Sequence, residues 1–74
     1  MTFEEITVSN AGIIGTVKVE GDVYWFNFAA TGDKPRRCTS NAVARVKAGK
    51  RQQLETGHKP GPLLTSIMRA LNDR

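Results

Sequence analysis

The chain has 74 residues and a net charge of +4, so it forms one small domain whose hydrophobic core is thin. Cys38 is the only cysteine, which excludes an internal disulfide framework, and no apolar run approaches the ~20 residues that a membrane-spanning helix needs. The acidic start MTFEEITV differs from the basic start of a signal peptide, and we therefore expect a soluble cytoplasmic protein without a membrane partner.

The first predicted elements are strands. Three segments within residues 3–28 alternate apolar and polar side chains, which is typical of antiparallel strands with one buried face. Gly21-Asp22 predicts the two-residue loop of a hairpin, because glycine stands first. The predicted pairs are Val19 with Tyr24, Lys18 with Trp25 and Val17 with Phe26. Ile6 and Val8 join the same core face only if the loop around residues 10–12 holds an even number of residues.

The other face of this meander is predicted to meet solvent. It carries Ile14, Lys18 and Trp25. An exposed tryptophan is typical of an interface anchor or of a platform on which nucleic-acid bases stack. The alternative is local cover, in which the stem and the ammonium group of Lys18 lie over the indole.

The next segment predicts a loop and a short basic helix. Residues 36–39 are a candidate fourth strand, for which Pro35 permits only an edge position or the start of a strand, because proline donates no backbone hydrogen bond. Residues 39–41, TSN, supply N-cap candidates for a helix that begins near the last of them. Gly49 is expected to end that helix, and residues 50–56 to add one or two further turns.

The last segment is the clearest helix in the sequence. Four apolar residues recur at the spacing of one helical face: Leu64, Ile67, Met68 and Leu71. Pro62 suits the first helical position. We expect this amphipathic helix to cover the core face of the sheet.

The predicted fold class is therefore α+β. A three-stranded antiparallel β-meander, four-stranded if residues 36–39 pair, is packed on one face by the C-terminal amphipathic helix and the shorter basic helix. The sheet is expected within residues 3–30, the basic loop and helix within residues 34–56, and the C-terminal helix within residues 62–72.

Charge is distributed unevenly along the chain. Residues 34–74 hold ten of the eleven Lys and Arg residues, whereas residues 1–33 hold five of the seven Asp and Glu residues. This asymmetry indicates an anionic partner. The candidate phosphate-binding residues are Lys34, Arg36, Arg37, Arg45, Lys47, Lys50 and Arg51. The alternative is that cations near a helix end only complement the helix dipole.

Side chains suited to catalysis or metal binding are sparse. His58 is the only histidine, and it lies in a Gly/Pro connector without Cys, Asp or Glu at ligand spacing. Cys38 lies between arginines and hydroxyls, where cations lower the pKa of a thiol, but the favoured interpretation is a small, half-buried residue at a strand end. Thr39, Ser40 and Ser66 have no general base nearby in the sequence. We therefore expect no enzyme activity, no cofactor and no metal site.

The leading functional hypothesis is a small accessory or regulatory protein that contacts the phosphate backbone of DNA or RNA through residues 34–51. The alternative is a protein-interaction module, such as an inhibitor, a complex subunit or a homodimer, that uses Trp25, Ile14 and a sheet edge. Because phosphate contacts release counterions, binding to nucleic acid weakens steeply with salt, whereas an apolar interface hardly responds.

Overall fold

Seven strands and one helix make up the structure, a computed structural model that describes residues 1–74. In chain order they are β1 (Thr2–Ser9), β2 (Gly12–Val19), β3 (Asp22–Phe28), β4 (Ala30–Thr31), β5 (Lys34–Pro35), β6 (Ala42–Lys47), β7 (Lys50–Thr56) and α1 (Pro62–Asn72). Five strands form an antiparallel sheet in the order β1-β2-β3-β6-β7, and β4 pairs only with β5. The predicted three- or four-stranded sheet with two helices is wrong, because the sheet is larger and the helix is single.

The segment predicted as the basic helix forms β6 and β7 instead. Ala48 and Gly49 both have positive φ, 53° and 74°, as in the two-residue turns that match the twist of a hairpin. β6 pairs with β3 on one side and with β7 on the other, so it is an interior strand of the sheet. These strand pairings override the helix propensity of the alanines in this segment.

The β2–β3 hairpin has the predicted faces but a different register. Its turn is Glu20-Gly21, with φ of 51° and 87°, and not Gly21-Asp22. Val17 therefore pairs with Tyr24, where the sequence predicts Phe26. A shift of two residues returns every side chain to the same face. Val17 and Phe26 are both fully buried, which confirms the predicted core face.

β1 joins the sheet at one edge through a two-residue loop, an even number as predicted. Ile6 pairs with Gly15 and packs against the core, on the face that the sequence predicts. Val8 is 46% exposed, so its predicted burial is wrong. The reason is its place on an edge strand, since α1 makes its main contacts with β5, β6 and β7.

Residues 36–41 contain no strand, so the predicted fourth strand at residues 36–39 is wrong. The position beside β3 is taken by β6. Asn41 caps no helix. Its buried side chain instead accepts a hydrogen bond from the backbone N–H of Ala29 at 2.8 Å and donates one to the carbonyl of Arg36 at 2.9 Å. Asn41 thereby holds this loop against the end of β3.

The core lies between the sheet and α1, as the sequence predicts. The eight side chains of its central cluster are Ile13, Val17, Phe26, Phe28, Val43, Leu64, Ile67 and Leu71. α1 begins at Pro62 and buries three of the four residues of the predicted stripe, Leu64, Ile67 and Leu71, whereas Met68 is half-buried. The only helix has eleven residues, which is too short for a membrane span.

The start of α1 is capped by β7. The Glu55 carboxylate accepts hydrogen bonds from the backbone N–H groups of Leu63 at 3.3 Å and Leu64 at 2.7 Å. These N–H groups have no partner within the helix, and a negative charge there also complements the helix dipole. Glu55 therefore fixes the position of α1 over the sheet.

Candidate nucleic-acid interface

The side of the sheet opposite α1 carries no helix, and we name it the open face. Strand pairing and the alternation of side chains place three rows of residues across it. The central row is Gln53, Ala44, Trp25, Thr16 and Glu5; one flanking row is Arg51, Val46, Val23, Lys18 and Thr2; the other is Thr56, Ala42, Asn27, Ile14 and Thr7. The open face is therefore mostly neutral, with an aromatic ring at its centre.

Trp25 occupies this central position on the middle strand of the sheet. Its side chain is half-buried, and the guanidinium carbon of Arg51 lies 4.4 Å from the centroid of its ring. Lys18 was expected opposite the indole, but Thr16 stands there and Lys18 pairs with Val23. The cation over the ring is therefore Arg51, for which the sequence predicts a position in a helix. In the structure Arg51 lies on β7, and its guanidinium stacks on Trp25 at the open face.

Three of the predicted phosphate-binding residues meet at the β6–β7 turn: Lys47, Lys50 and Arg51, which we name the basic end. Lys47 and Lys50 are exposed and stand directly opposite each other in the ladder. Like charges in that position repel, and no carboxylate forms an ion pair with either of them. An anionic partner would relieve this repulsion.

The other predicted cations lie apart from the basic end. Arg45 forms the only ion pair of the molecule, to Asp22 at 3.0 Å. Lys34 donates a hydrogen bond from Nζ to the carbonyl of Asn72 at 3.0 Å. Arg36 and Arg37 are exposed in the loop before β6, at the opposite end of a strand roughly 17 Å long. The seven cations therefore do not form one continuous patch.

Charge changes sign from one edge of the sheet to the other. Glu4 and Glu5 lie on β1, one edge strand, and Lys50 and Arg51 lie on β7, the other. An anionic chain on the open face is therefore attracted toward β7 and repelled from β1. Arg51 lies at the favourable edge of this gradient, and Trp25 lies midway between the two edges.

A concave cleft lies elsewhere on the molecule and was not predicted from the sequence. It is a cleft of about 460 Å³ between the loop before β6, the connector after β7 and one side of α1. Cys38 lines it, and the Ser40 hydroxyl, 3.1 Å from Sγ, lowers the pKa of this thiol by stabilising the thiolate. His58 is exposed in the connector and does not line the cleft.

Comparison of this chain with protein-family models, with curated proteins and with solved structures finds no match in any of the three. The function proposed for the chain therefore rests on the chemistry of its own residues.

Proposed function

We propose that this protein is a non-enzymatic accessory or regulatory factor that binds single-stranded nucleic acid on the open face and at the basic end. The observation that carries the proposal is the position of Trp25 at the centre of the open face, with the Arg51 guanidinium over its ring. An aromatic ring beside cations is the combination that binds single strands, since bases stack on the ring while cations contact phosphates.

The shape of the face favours a single strand over a duplex. The major groove of a duplex admits one helix or a two-stranded ribbon, whereas the open face presents five strands side by side. Bases within a duplex are stacked on each other and cannot stack on Trp25 without being unpaired. Trp25 and Thr16 are half-buried, so part of the indole is accessible to a base, whereas Ala44 on the other side of Trp25 is covered by its neighbours.

The phosphate contacts are assigned to the basic end. Lys47 and Lys50 stand on the α1 side of the ladder and Arg51 stands on the open face, so cations lie on both sides of the same turn. A strand that passes over Trp25 toward this turn brings its backbone within reach of them. Because Arg51 is exposed, its guanidinium can leave the indole for a phosphate when a base replaces it.

Trp25 is the only tryptophan, so its fluorescence reports the open face directly. We expect a short single-stranded oligonucleotide to quench this fluorescence at low salt, with a slope of log K against log salt of about −2 for three phosphate contacts. Changing Trp25 to Ala should weaken binding of a labelled oligonucleotide by ~1–3 kcal/mol, measured by anisotropy.

Two double variants with equal charge loss provide the matched comparison. Replacing Lys47 and Lys50 by Gln should reduce the salt slope by about 1.4, whereas replacing Arg36 and Arg37 by Gln should leave it nearly unchanged. If both double variants reduce the salt slope equally, the phosphate contacts are not confined to the basic end. If the protein binds a duplex as tightly as a single strand, base stacking on Trp25 does not contribute. If no salt-sensitive binding is found at micromolar protein concentration, the whole proposal is contradicted.

A protein partner on the same face is the second candidate, and Ile14 favours it because this large apolar residue is 40% exposed there. Such a partner would bind through apolar area, with little response to salt. Changing Ile14 to Ser should then abolish its binding, while nucleic-acid binding at Trp25 should keep most of its affinity. We propose a cytoplasmic setting for either activity, because Cys38 has no cysteine partner.

A further inference from the structure

The cleft beside α1 is the second candidate for a binding site, independent of the open face. Its volume of about 460 Å³ falls within the range of small-molecule sites. We propose that it binds a small organic phosphate, whose phosphate group lies between Arg37 and Arg69 and whose organic part rests on the side of α1.

The walls of the cleft are held in place by the fold. The loop that carries Arg37 and Cys38 is fixed by the buried side chain of Asn41, and the backbone N–H of Gly57 donates to the Asn41 carbonyl at 2.8 Å. Gly57 packs so closely that a Cβ atom there would lie 1.8 Å from the Cys38 carbonyl oxygen. The cleft is therefore largely formed before any ligand arrives.

Its charge is positive and uncompensated. Arg37 and Arg69 line the cleft, no Asp or Glu is among its lining residues, and neither arginine forms an ion pair within the chain. Guanidinium groups bind phosphates through paired hydrogen bonds. Two of them match a phosphate monoester, which carries a charge of about −1.5 to −2 at neutral pH, better than they match a single carboxylate.

The lining also supplies apolar contact. Leu64 and Met68 lie one turn apart on α1, with Thr65 beside them as a hydroxyl donor. A cleft with cations on its walls and an apolar side selects a ligand with both an anionic group and an apolar part. Inorganic phosphate alone would leave that apolar surface unused, which is why the ligand is assigned as an organic phosphate.

The only thiol of the chain is a reporter placed inside the cleft. Adenosine 5′-monophosphate at about 5 mM should slow alkylation of Cys38 by iodoacetamide, and adenosine at the same concentration should not. Changing Arg69 to Gln should raise the concentration needed for protection about tenfold, because a charge-assisted contact is lost. Changing Arg74 to Gln removes the same charge outside the cleft and should have no effect.

A phosphate monoester also occurs at the end of a nucleic-acid strand, and one oligonucleotide with and without its 5′-phosphate distinguishes this source. The open face should bind both forms of the oligonucleotide equally. If the phosphorylated oligonucleotide protects Cys38 from alkylation better than the mononucleotide does, the ligand is a strand end. If the mononucleotide protects Cys38 better, the ligand is a free small molecule. Either result supports the site. The phosphate site is overturned if adenosine protects Cys38 as well as the mononucleotide does, if the Arg69 variant is protected like the wild type, or if no phosphate compound protects Cys38. These outcomes do not depend on the fluorescence of Trp25, which tests the open face separately.

Discussion

Changing Asn41 to Ala tests whether one buried side chain holds the loop that forms the cleft. The variant leaves the N–H of Ala29 and the carbonyl of Arg36 without their partners at 2.8 and 2.9 Å. The two lost hydrogen bonds together cost about 1–3 kcal/mol, and the N–H left unsatisfied in a partly buried place adds about 1 kcal/mol, the lower end of the range for a buried donor. We therefore expect the free energy of unfolding to fall by about 2–4 kcal/mol.

That loss is large for a domain of this size. A chain of 74 residues has a total stability of roughly 4–11 kcal/mol, so the variant should lose a substantial part of it and its Tm should fall by roughly 10–30 °C. Urea unfolding followed by the fluorescence of Trp25 measures the change, provided that the m-value is unaltered. Asn27 on the open face is the control, and its change to Ala should cost only a few tenths of a kcal/mol.

Changing Asn41 to Asp tests the two hydrogen bonds of this side chain separately, because it keeps the acceptor and removes the donor. The carboxylate keeps an oxygen for the Ala29 N–H but cannot donate to the Arg36 carbonyl, and burial raises the pKa of the new carboxyl. A raised pKa in the folded state means that stability falls as pH rises above ~4, so this variant should be more stable at acidic than at neutral pH, relative to wild type. A cost below ~1 kcal/mol for Asn41→Ala, or a flat pH profile for Asn41→Asp, would refute the role given to this side chain.

The remaining predictions concern α1. Changing Ile67 to Ala should cost ~2–5 kcal/mol in urea unfolding, because the side chain is fully buried, whereas Ser66→Ala on the exposed side of the helix should change stability by less than ~0.5 kcal/mol. Changing Glu55 to Gln should cost ~0.5–1 kcal/mol, because it removes the charge that caps the helix while keeping one acceptor, and amide exchange at Leu63 and Leu64 should become faster. Unaltered exchange at both amides would contradict the capping role.

The faces of the strands could be predicted from the sequence, but their register could not. A hairpin turn at Gly21-Asp22 and one at Glu20-Gly21 place the same side chains in the core, because the two registers differ by two residues. Choosing between them requires knowing that Glu20 adopts φ of 51°, which is uncommon for a residue other than glycine. The structure shows a consequence of that choice, since Asp22 begins β3 and reaches Arg45.

The sequence predicts a basic helix here because N-cap candidates at residues 39–41 precede the segment AVARVKA. An interior strand also buries residues on both faces, so its pattern does not alternate cleanly. The contradictory signal was Lys50, which a continued helix would place in the middle of its apolar stripe. A hairpin through Ala48-Gly49 removes that conflict. Both candidate sites depend on it, because β7 carries Arg51 to Trp25 and the connector after β7 closes the cleft.

The charge asymmetry of the sequence has two explanations, attraction between the halves of the chain or attraction of a partner. The fold joins the acidic and basic halves edge to edge in one sheet, where the only ion pair between them is Arg45 with Asp22. Their side chains are 39% and 45% exposed, and an exposed pair contributes little to stability. Folding therefore leaves most of the basic charge unpaired, and at the basic end it places two lysines against each other. Because like charges in that position repel, an anion bound at the basic end would stabilise it, and this supports the proposed nucleic-acid partner.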